Sequence, residues 1–403
     1  MLGLYCAYSF RFSKKLPTLR RRFPPYPMFE SQCLRFLLQR FGWTLTSCKT
    51  NSKDMTMKMN RLGRTDIEVS ELCLGSMTWG TQNTTQEGHD QIDRALDGGI
   101  NFIDTAEMYP VNPLSAETQG RTEEVIGDWF ERDNRRKDVV LATKHSGAGI
   151  KYVRDGAPIS AATIKETIEG SLRRLKTDYI DLYQFHWPNR GSYMFRQNWT
   201  YDPSGQDRVA TLAHMDETLE ALQDEVKRGT IRAFGLSNES AWGTTQWVNA
   251  AERTGGPRVA TIQNEYSLMC RLYDTDLAEV SINEDVGLLS FSPLATGLLT
   301  GKYQNGQIPE GSRMSFSPEL GGRKSERVFA AVDAYLAVAK KHDLDPVHMA
   351  LAWCFTRPFM GSVIFGATTI PQLDQALTSV DVTLSDEVLA DIDAAHRLHP
   401  MPY

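Results

Sequence analysis

Asp104, Tyr109, Lys144 and His186 are the residues of this 403-residue chain whose types and spacing could do chemistry together. The first two lie in DTAEMY, the third closes VVLATK, and the fourth follows the apolar run of DLYQFHWP. Reducing a carbonyl places a hydride on carbon and leaves charge on oxygen, which must then take up a proton. A tyrosine with an ordinary pKa of roughly 10 stays protonated at neutral pH and can donate. A neighbouring ammonium stabilises the phenolate left behind, a carboxylate keeps that ammonium charged and oriented, and an imidazole positions the oxygen. Taken singly, each residue has a plainer explanation. A strand-end lysine is commonly a solvated terminus, a tyrosine a packing residue, an aspartate a helix cap and a histidine a hydrogen-bonded spacer. A second chemistry is also open, because a strand-end lysine can form a Schiff base with a carbonyl, as in lyases of aldolase type.

The four residues share a rim only if a regular scaffold puts them there. Short apolar runs at 72–74, 101–104, 139–143, 180–185, 231–236, 259–263, 286–291 and 362–365 read as strands buried on both faces. Helical windows lie between them: Ile164, Ile168, Leu172 and Leu175 repeat at helical spacing, as do Met215, Leu219, Leu222 and Val226 before Gly229. Asp345 followed by Pro346 predicts an N-cap and first helical residue. Further windows cover 88–97, 122–132, 240–252, 274–283 and 372–380. Eight strands alternating with helices, and no GxGxxG after the first strand, predict a closed (β/α)8 TIM barrel rather than an open dinucleotide-binding sheet. An opening β-hairpin at 58–62 and 68–72 precedes it. Long connections at 187–213 and 295–324 predict functional loops after the fourth and seventh barrel strands. The active site of such a barrel lies at the C-terminal strand ends.

Net charge is −6, yet residues 1–53 carry ten Lys or Arg against a single acid, Glu30. The remainder is therefore distinctly acidic, which argues against nucleic acid and anionic membrane as partners. There is no apolar stretch of about 18 residues to span a bilayer. The six cysteines show no CxxC spacing, and the eight histidines form no HExxH, so neither a disulfide framework nor a metal site is expected. Residues 1–56 lack periodicity and read as a basic N-terminal extension. Either translation starts at the methionine cluster Met55, Met57 and Met59, or the segment is a transit peptide. The first reading places the protein in the cytoplasm and the second in a plastid or mitochondrion; residues 57–403 form the barrel domain in both.

DTAEMY, the lysine after the third strand, QFHWP and GLSN resemble the aldo-keto reductase family throughout 57–403, most of all its bacterial Tas-like NADP(H)-dependent subgroup, through LGSMTWGTQNT, AEMYPVNP and AETQGRTEE. The resemblance implies a catalytic tetrad of Asp104, Tyr109, Lys144 and His186, and NADPH (NADP+) as cofactor. It implies that Ser237, Asn238 and Gln263 hydrogen-bond the nicotinamide carboxamide and that Phe291 stacks on its ring. Ser292, Pro293, Leu294, Gly297 and Lys302 would close over the pyrophosphate, and Arg313 would meet the adenosine 2′-phosphate. Gly366, Thr368 and Gln372 would complete the site where a helix opens after the last strand. Where the family often has Glu then Asn near the end of that motif, this chain has Gln375 and Ala376, which weakens the expected adenine contacts.

Trp79, Trp187, Tyr193, Phe195 and Trp199 suggest an apolar pocket for a small-molecule carbonyl substrate, the plainer alternative being a loop packed on itself. A rival from another class is an NADPH-binding sensor or regulatory subunit. Channel-associated members of the family carry Asn where this chain has His186, so an intact tetrad argues for turnover.

Overall fold

The computed structural model describes residues 57–403; the expectations for 1–56 lie outside them. β1 (Met59–Arg61) and β2 (Glu68–Ser70) form the antiparallel hairpin. Eight parallel strands follow: β3 (Leu72–Gly75), β4 (Phe102–Asp104), β5 (Val140–His145), β6 (Ile180–Phe185), β7 (Ile231–Ser237), β8 (Val259–Glu265), β9 (Gly287–Phe291) and β10 (Met360–Phe365). They close into a barrel in chain order, β10 pairing with both β9 and β3. The chain is a (β/α)8 barrel.

The period of two along each strand explains how the barrel is filled. Cys73, Phe102, Ala142, Leu182, Ala233, Leu289 and Ile364 form one cluster inside, closed from below by Leu62, Ile67 and Val69 of the hairpin. The hairpin thus plugs the N-terminal end. Two residues on from Phe102, Ala142 and Leu182, the same parity turns Asp104, Lys144 and Gln184 inward above that plug. Register agrees, with Asp104 opposite Ala142 and Lys144 opposite Gln184. The alternate residues Leu72, Leu74, Ile103, Leu141, Phe234, Ile262, Leu288 and Val363 face outward into a larger core shared with the helices.

Those helices are α1 (Thr85–Asp97), α2 (Arg121–Asp133), α3 (Ala161–Leu175), α4 (Arg208–Arg228), α5 (Ala241–Thr254), α6 (Leu277–Glu284), α7 (Arg313–Phe316), α8 (Val328–Lys341), α9 (Pro346–Phe355), α10 (Ile370–Leu377) and α11 (Asp386–Leu398). Asp345 caps α9 as its spacing implies, accepting from the Val347 and His348 amides. Gly229 ends α4 in the left-handed region at φ 76°. α4 begins at Arg208, earlier than its apolar spacing shows, because its first turns are solvent-facing and Asp207 caps them. The loop after β6 is shortened accordingly. The connection after β9 is organised by short 3-10 turns at Ala295–Thr300 and Gln304–Gly306 and by α7. α8 and α11 have no counterpart in the sequence reading; they pack on each other outside the alternating strand–helix pattern.

Candidate functional site

The inward layer above the apolar plug is polar. Asp104 Oδ2 accepts from Lys144 Nζ at 2.5 Å, while Oδ1 accepts from Gln184 Nε2 at 3.1 Å and from Gln263 Nε2 at 2.8 Å. Lys144 Nζ also donates to the Thr105 carbonyl at 2.7 Å. Asp104, Lys144, Gln184 and Gln263 are all buried. An isolated charge here would be expensive; the pairing and these hydrogen bonds offset that cost. Burial alone would lower the Lys144 pKa, but Asp104 and the nearby Tyr109 outweigh it and the net shift is upward. Lys144 is an ammonium.

Tyr109 follows β4 by five residues and lies over this pair, Lys144 Nζ being 4.9 Å from its ring centroid. Desolvation raises the phenol pKa and Lys144 opposes it, leaving it above its ordinary value. His186, the first residue after β6, meets the Tyr109 ring edge-on with centroids 5.7 Å apart. Burial, reinforced by the Lys144 charge, drives its pKa well below 6.5. The imidazole is neutral, and its buried Nδ1 has no partner. The four sequence-singled residues therefore assemble around one point at the barrel mouth. Gln184 joins them unforeseen, although its parity with Leu182 was there to be read.

The expected carboxamide contacts gather on the adjoining rim. Asn238 sits in the left-handed region at φ 53°. Its Nδ2 donates to the His186 carbonyl at 2.9 Å and to Ser237 Oγ at 3.0 Å, leaving a buried Oδ1 with no partner. Ser237 Oγ donates to the Gln263 carbonyl at 2.8 Å. Gln263 differs from expectation. Its amide group donates to Asp104 and Gln184, so only its Oε1 remains to accept from a ligand. Phe291 closes β9, Ser292 follows it at φ 55°, and Pro293 and Leu294 lead into the 3-10 turn. The left-handed Gly297 leaves room for Lys302, whose Nζ would lie 3.0 Å from a Cβ placed there. Arg313 is half-buried at the start of α7; burial and the neighbouring Arg323 lower its pKa, and no carboxylate opposes them. An unpartnered acceptor at one end and an uncompensated guanidinium on the loop after β9 fit a nicotinamide dinucleotide.

Beyond β10 the fit changes. Gln372 Oε1 accepts from the Thr368 amide at 2.9 Å and its hydroxyl at 3.1 Å, closing the turn beyond Gly366 that opens α10 instead of standing free. Gln375 donates to the cap residue Asp345 at 2.9 Å, and Ala376 is buried in the core. Of the two positions that depart from the family pattern, Gln375 thus faces the start of α9 and Ala376 the core.

The expected aromatic pocket needs correction. Trp79 is wholly buried, its Nε1 donating to Gln91 of α1 at 3.0 Å, so it is a core residue. Tyr193 packs edge-on against Tyr201 and lines a small cavity between its loop, the end of β8 and Tyr403. Trp199 is 56% exposed and lies under the Arg327 guanidinium. Trp187 and Phe195 remain: Trp187 lies against His186 with centroids 4.9 Å apart, and Phe195 meets Trp187 edge-on at 6.3 Å. Val111, Ile150, Tyr152 and Val153 cluster with Tyr109 and Trp187. Three of them come from the irregular segment after β5, where no periodicity marks the apolar residues.

The Aldo/keto reductase family matches residues 71–397. The chain belongs to this family. It is 41% identical over 352 residues to Protein tas of Escherichia coli (strain K12), covering 86% of this chain and 99% of that one. It is 31% identical over 338 residues to the uncharacterized oxidoreductase YrpG of Bacillus subtilis (strain 168), covering 83% and 94%. It is also 31% identical over 334 residues to a probable voltage-gated potassium channel subunit beta of Arabidopsis thaliana, covering 81% and 92%. Family and relatives make this aldo/keto reductase an oxidoreductase.

Buried histidines give the fold a pH dependence. Burial, with Arg154 nearby, pushes His145 down to about 3, and His186 is lowered as well. The unfolded chain, with histidines near 6.5, therefore binds more protons than the folded chain in mild acid. This stability is complete above about pH 6.5 and is lost as pH falls from there toward the folded-state values. Urea titrations from about pH 7 to pH 5 are expected to show falling stability, with a shallower fall in His186→Gln. Equal slopes in the two proteins would show that His186 titrates normally.

Proposed function

We propose that this aldo/keto reductase reduces aldehydes or ketones to alcohols with NADPH as cofactor and Tyr109 as general acid. The observation that carries the reading is the buried Asp104–Lys144 ion pair beneath the Tyr109 ring, next to an uncharged His186. The nicotinamide, when bound, supplies the hydride. Tyr109, held protonated by its raised pKa, gives its hydroxyl proton to the substrate oxygen as charge develops there. Lys144 limits the cost of the resulting phenolate, and Asp104, braced by Gln184 and Gln263, keeps Lys144 charged and in place. A neutral imidazole N–H of His186 orients the carbonyl oxygen; an imidazole whose pKa is depressed below the working pH has no spare proton of its own to give. Trp187, Phe195, Ile150 and Tyr152 shield the reacting carbon from water.

Asn238 Oδ1 and Gln263 Oε1 would accept from the carboxamide beside Ser237, and Phe291 would cover the ring. Ser292, Pro293, Leu294, Gly297 and Lys302 would enclose the pyrophosphate, with Gly366, Thr368 and the Gln372 side-chain NH2 at the edge of the site. Arg313 would meet the 2′-phosphate. The Schiff-base alternative is disfavoured because a lysine that is protonated, ion-paired and hydrogen-bonded to Thr105 is a poor nucleophile. A sensor without turnover has no use for the assembled proton donor. No helix among the described residues is long and apolar enough to cross a membrane, and Cys73, Cys270 and Cys354 are buried thiols. Both features suit the cytoplasm, or an organelle interior if 1–56 direct import.

Tyr109→Phe keeps the ring and deletes the transferable proton, so turnover should fall by roughly 10²–10⁴-fold with NADPH binding nearly intact. His186→Gln should retain measurable turnover on reactive aldehydes. The reverse pattern, an active Tyr109→Phe and a dead His186→Gln, would make His186 the acid. Arg313→Ala should weaken NADPH binding by about ten- to a hundredfold and NADH little, measured by quenching of intrinsic fluorescence. Equal weakening of both cofactors would remove Arg313 from the 2′-phosphate.

A further inference from the structure

Glu265, the last residue of β8, lies at the barrel rim outside the proposed proton-donating set, yet its buried carboxylate is shared by three distant segments. Oε1 accepts from Arg323 Nε at 2.7 Å and from the Tyr403 hydroxyl at 3.0 Å. Oε2 accepts from Arg196 Nη1 at 2.8 Å. Arg196 belongs to the loop after β6, Arg323 to the connection after β9, and Tyr403 to the C-terminal tail. The same segments touch again around this point. A Cβ on Gly322, at φ 85°, would lie 3.4 Å from Arg196 Nε, so the arginine rests on the left-handed turn of the other loop. Arg327, at the start of α8, lies over Trp199 with 5.1 Å to the ring centroid, and Ser325 Oγ donates to the Pro402 carbonyl at 2.6 Å.

We propose that Glu265 is a positioning residue that joins the substrate-side loop after β6, the cofactor-side loop after β9 and the C-terminal tail into a single lid. The proposal rests on the reductase reading of the site. On the cofactor side, Arg323 Nη2 donates to Ser292 Oγ at 3.3 Å, so the arginine gripped by Glu265 also holds the segment expected over the pyrophosphate. On the substrate side, Arg196 directly follows Phe195, which faces Trp187 beside His186. One carboxylate therefore anchors the cofactor enclosure and a wall of the substrate pocket. Its charge is required in this role. Two guanidiniums converge on it, and without it they would face each other at a largely buried point. Burial would raise the Glu265 pKa, but Arg323 and Arg196 prevail and hold it below the ordinary carboxylate value. With the two loops fixed to one point, neither opens without straining the other, and release of the cofactor becomes linked to the state of the substrate pocket.

The linkage is read most cleanly through Arg196, which touches Glu265 but none of the residues expected to contact cofactor. NADPH dissociation rates would be measured by stopped-flow recovery of intrinsic fluorescence in the full chain, its Arg196→Met and Tyr403→Phe variants, and Glu265→Gln. Arg196→Met should speed NADPH release by about tenfold, the order expected for loss of a charge-assisted contact, and should raise the carbonyl KM without lowering kcat. Tyr403→Phe should do the same to a smaller degree. Glu265→Gln should exceed both. If Glu265→Gln fails to fold, the two peripheral variants carry the test. Unchanged NADPH release in Arg196→Met, with only the carbonyl KM altered, would show two independent loops and overturn the proposal. Absence of NADPH quenching in the unmodified protein would instead overturn the reductase reading beneath it.

Discussion

The Asp104–Lys144 ion pair is the constraint around which the rest of the site is arranged. Both charges lie inside the barrel, where an unpaired one would cost several kcal/mol. The fold meets that cost by giving Asp104 three donors, Lys144, Gln184 and Gln263, on three other strands, and by giving Lys144 a second acceptor in the Thr105 carbonyl. Strand register sets these distances. A slip of one residue in β5 would turn Lys144 outward and strand the carboxylate. The polar layer thus ties barrel closure to chemistry, and the apolar plug beneath it, closed by the hairpin, keeps water from entering behind.

The neighbours take their properties from this pair. Lys144 contributes to the depressed pKa of His186 and moderates the raised pKa of Tyr109. Burial is the larger influence on both. The result is an acid that remains loaded and an imidazole that remains neutral, side by side, without any group held far from its stable protonation state. The cofactor-side rim is built differently. There Asn238 Oδ1 has no partner and Arg313 has no opposing carboxylate, so these groups are completed by a ligand rather than by the fold.

Much of this was legible in the sequence because two signals carry it. Short, nearly continuous apolar runs bounded by helical windows mark the eight barrel strands, and a polar residue at the end of such a run marks Asp104, Lys144 and His186. Gln184 was equally available by parity but hides in mid-strand among aromatic residues. The aromatic residues misled because ring chemistry does not say which way a loop side chain turns. Trp79 is in the core, Tyr193 lies between its loop and the end of β8 and Trp199 is at the surface, while Ile150 and Tyr152 carry no positional signal at all. Glu265 was unreadable for a related reason. Its partners Arg196, Arg323 and Tyr403 are brought together only by tertiary structure. α8 and α11 fall outside the strand–helix alternation of the barrel.

If the ion pair acts as one unit, its members cannot contribute independently. The direct measurement is a double-mutant cycle on Asp104→Asn and Lys144→Met, following single-turnover consumption of NADPH with a reactive aldehyde under saturating cofactor. The account predicts that each single variant loses most of the rate and that the double variant is little worse than either. Losses that simply add, or a Lys144→Met variant that turns over at a near-normal rate, would contradict it.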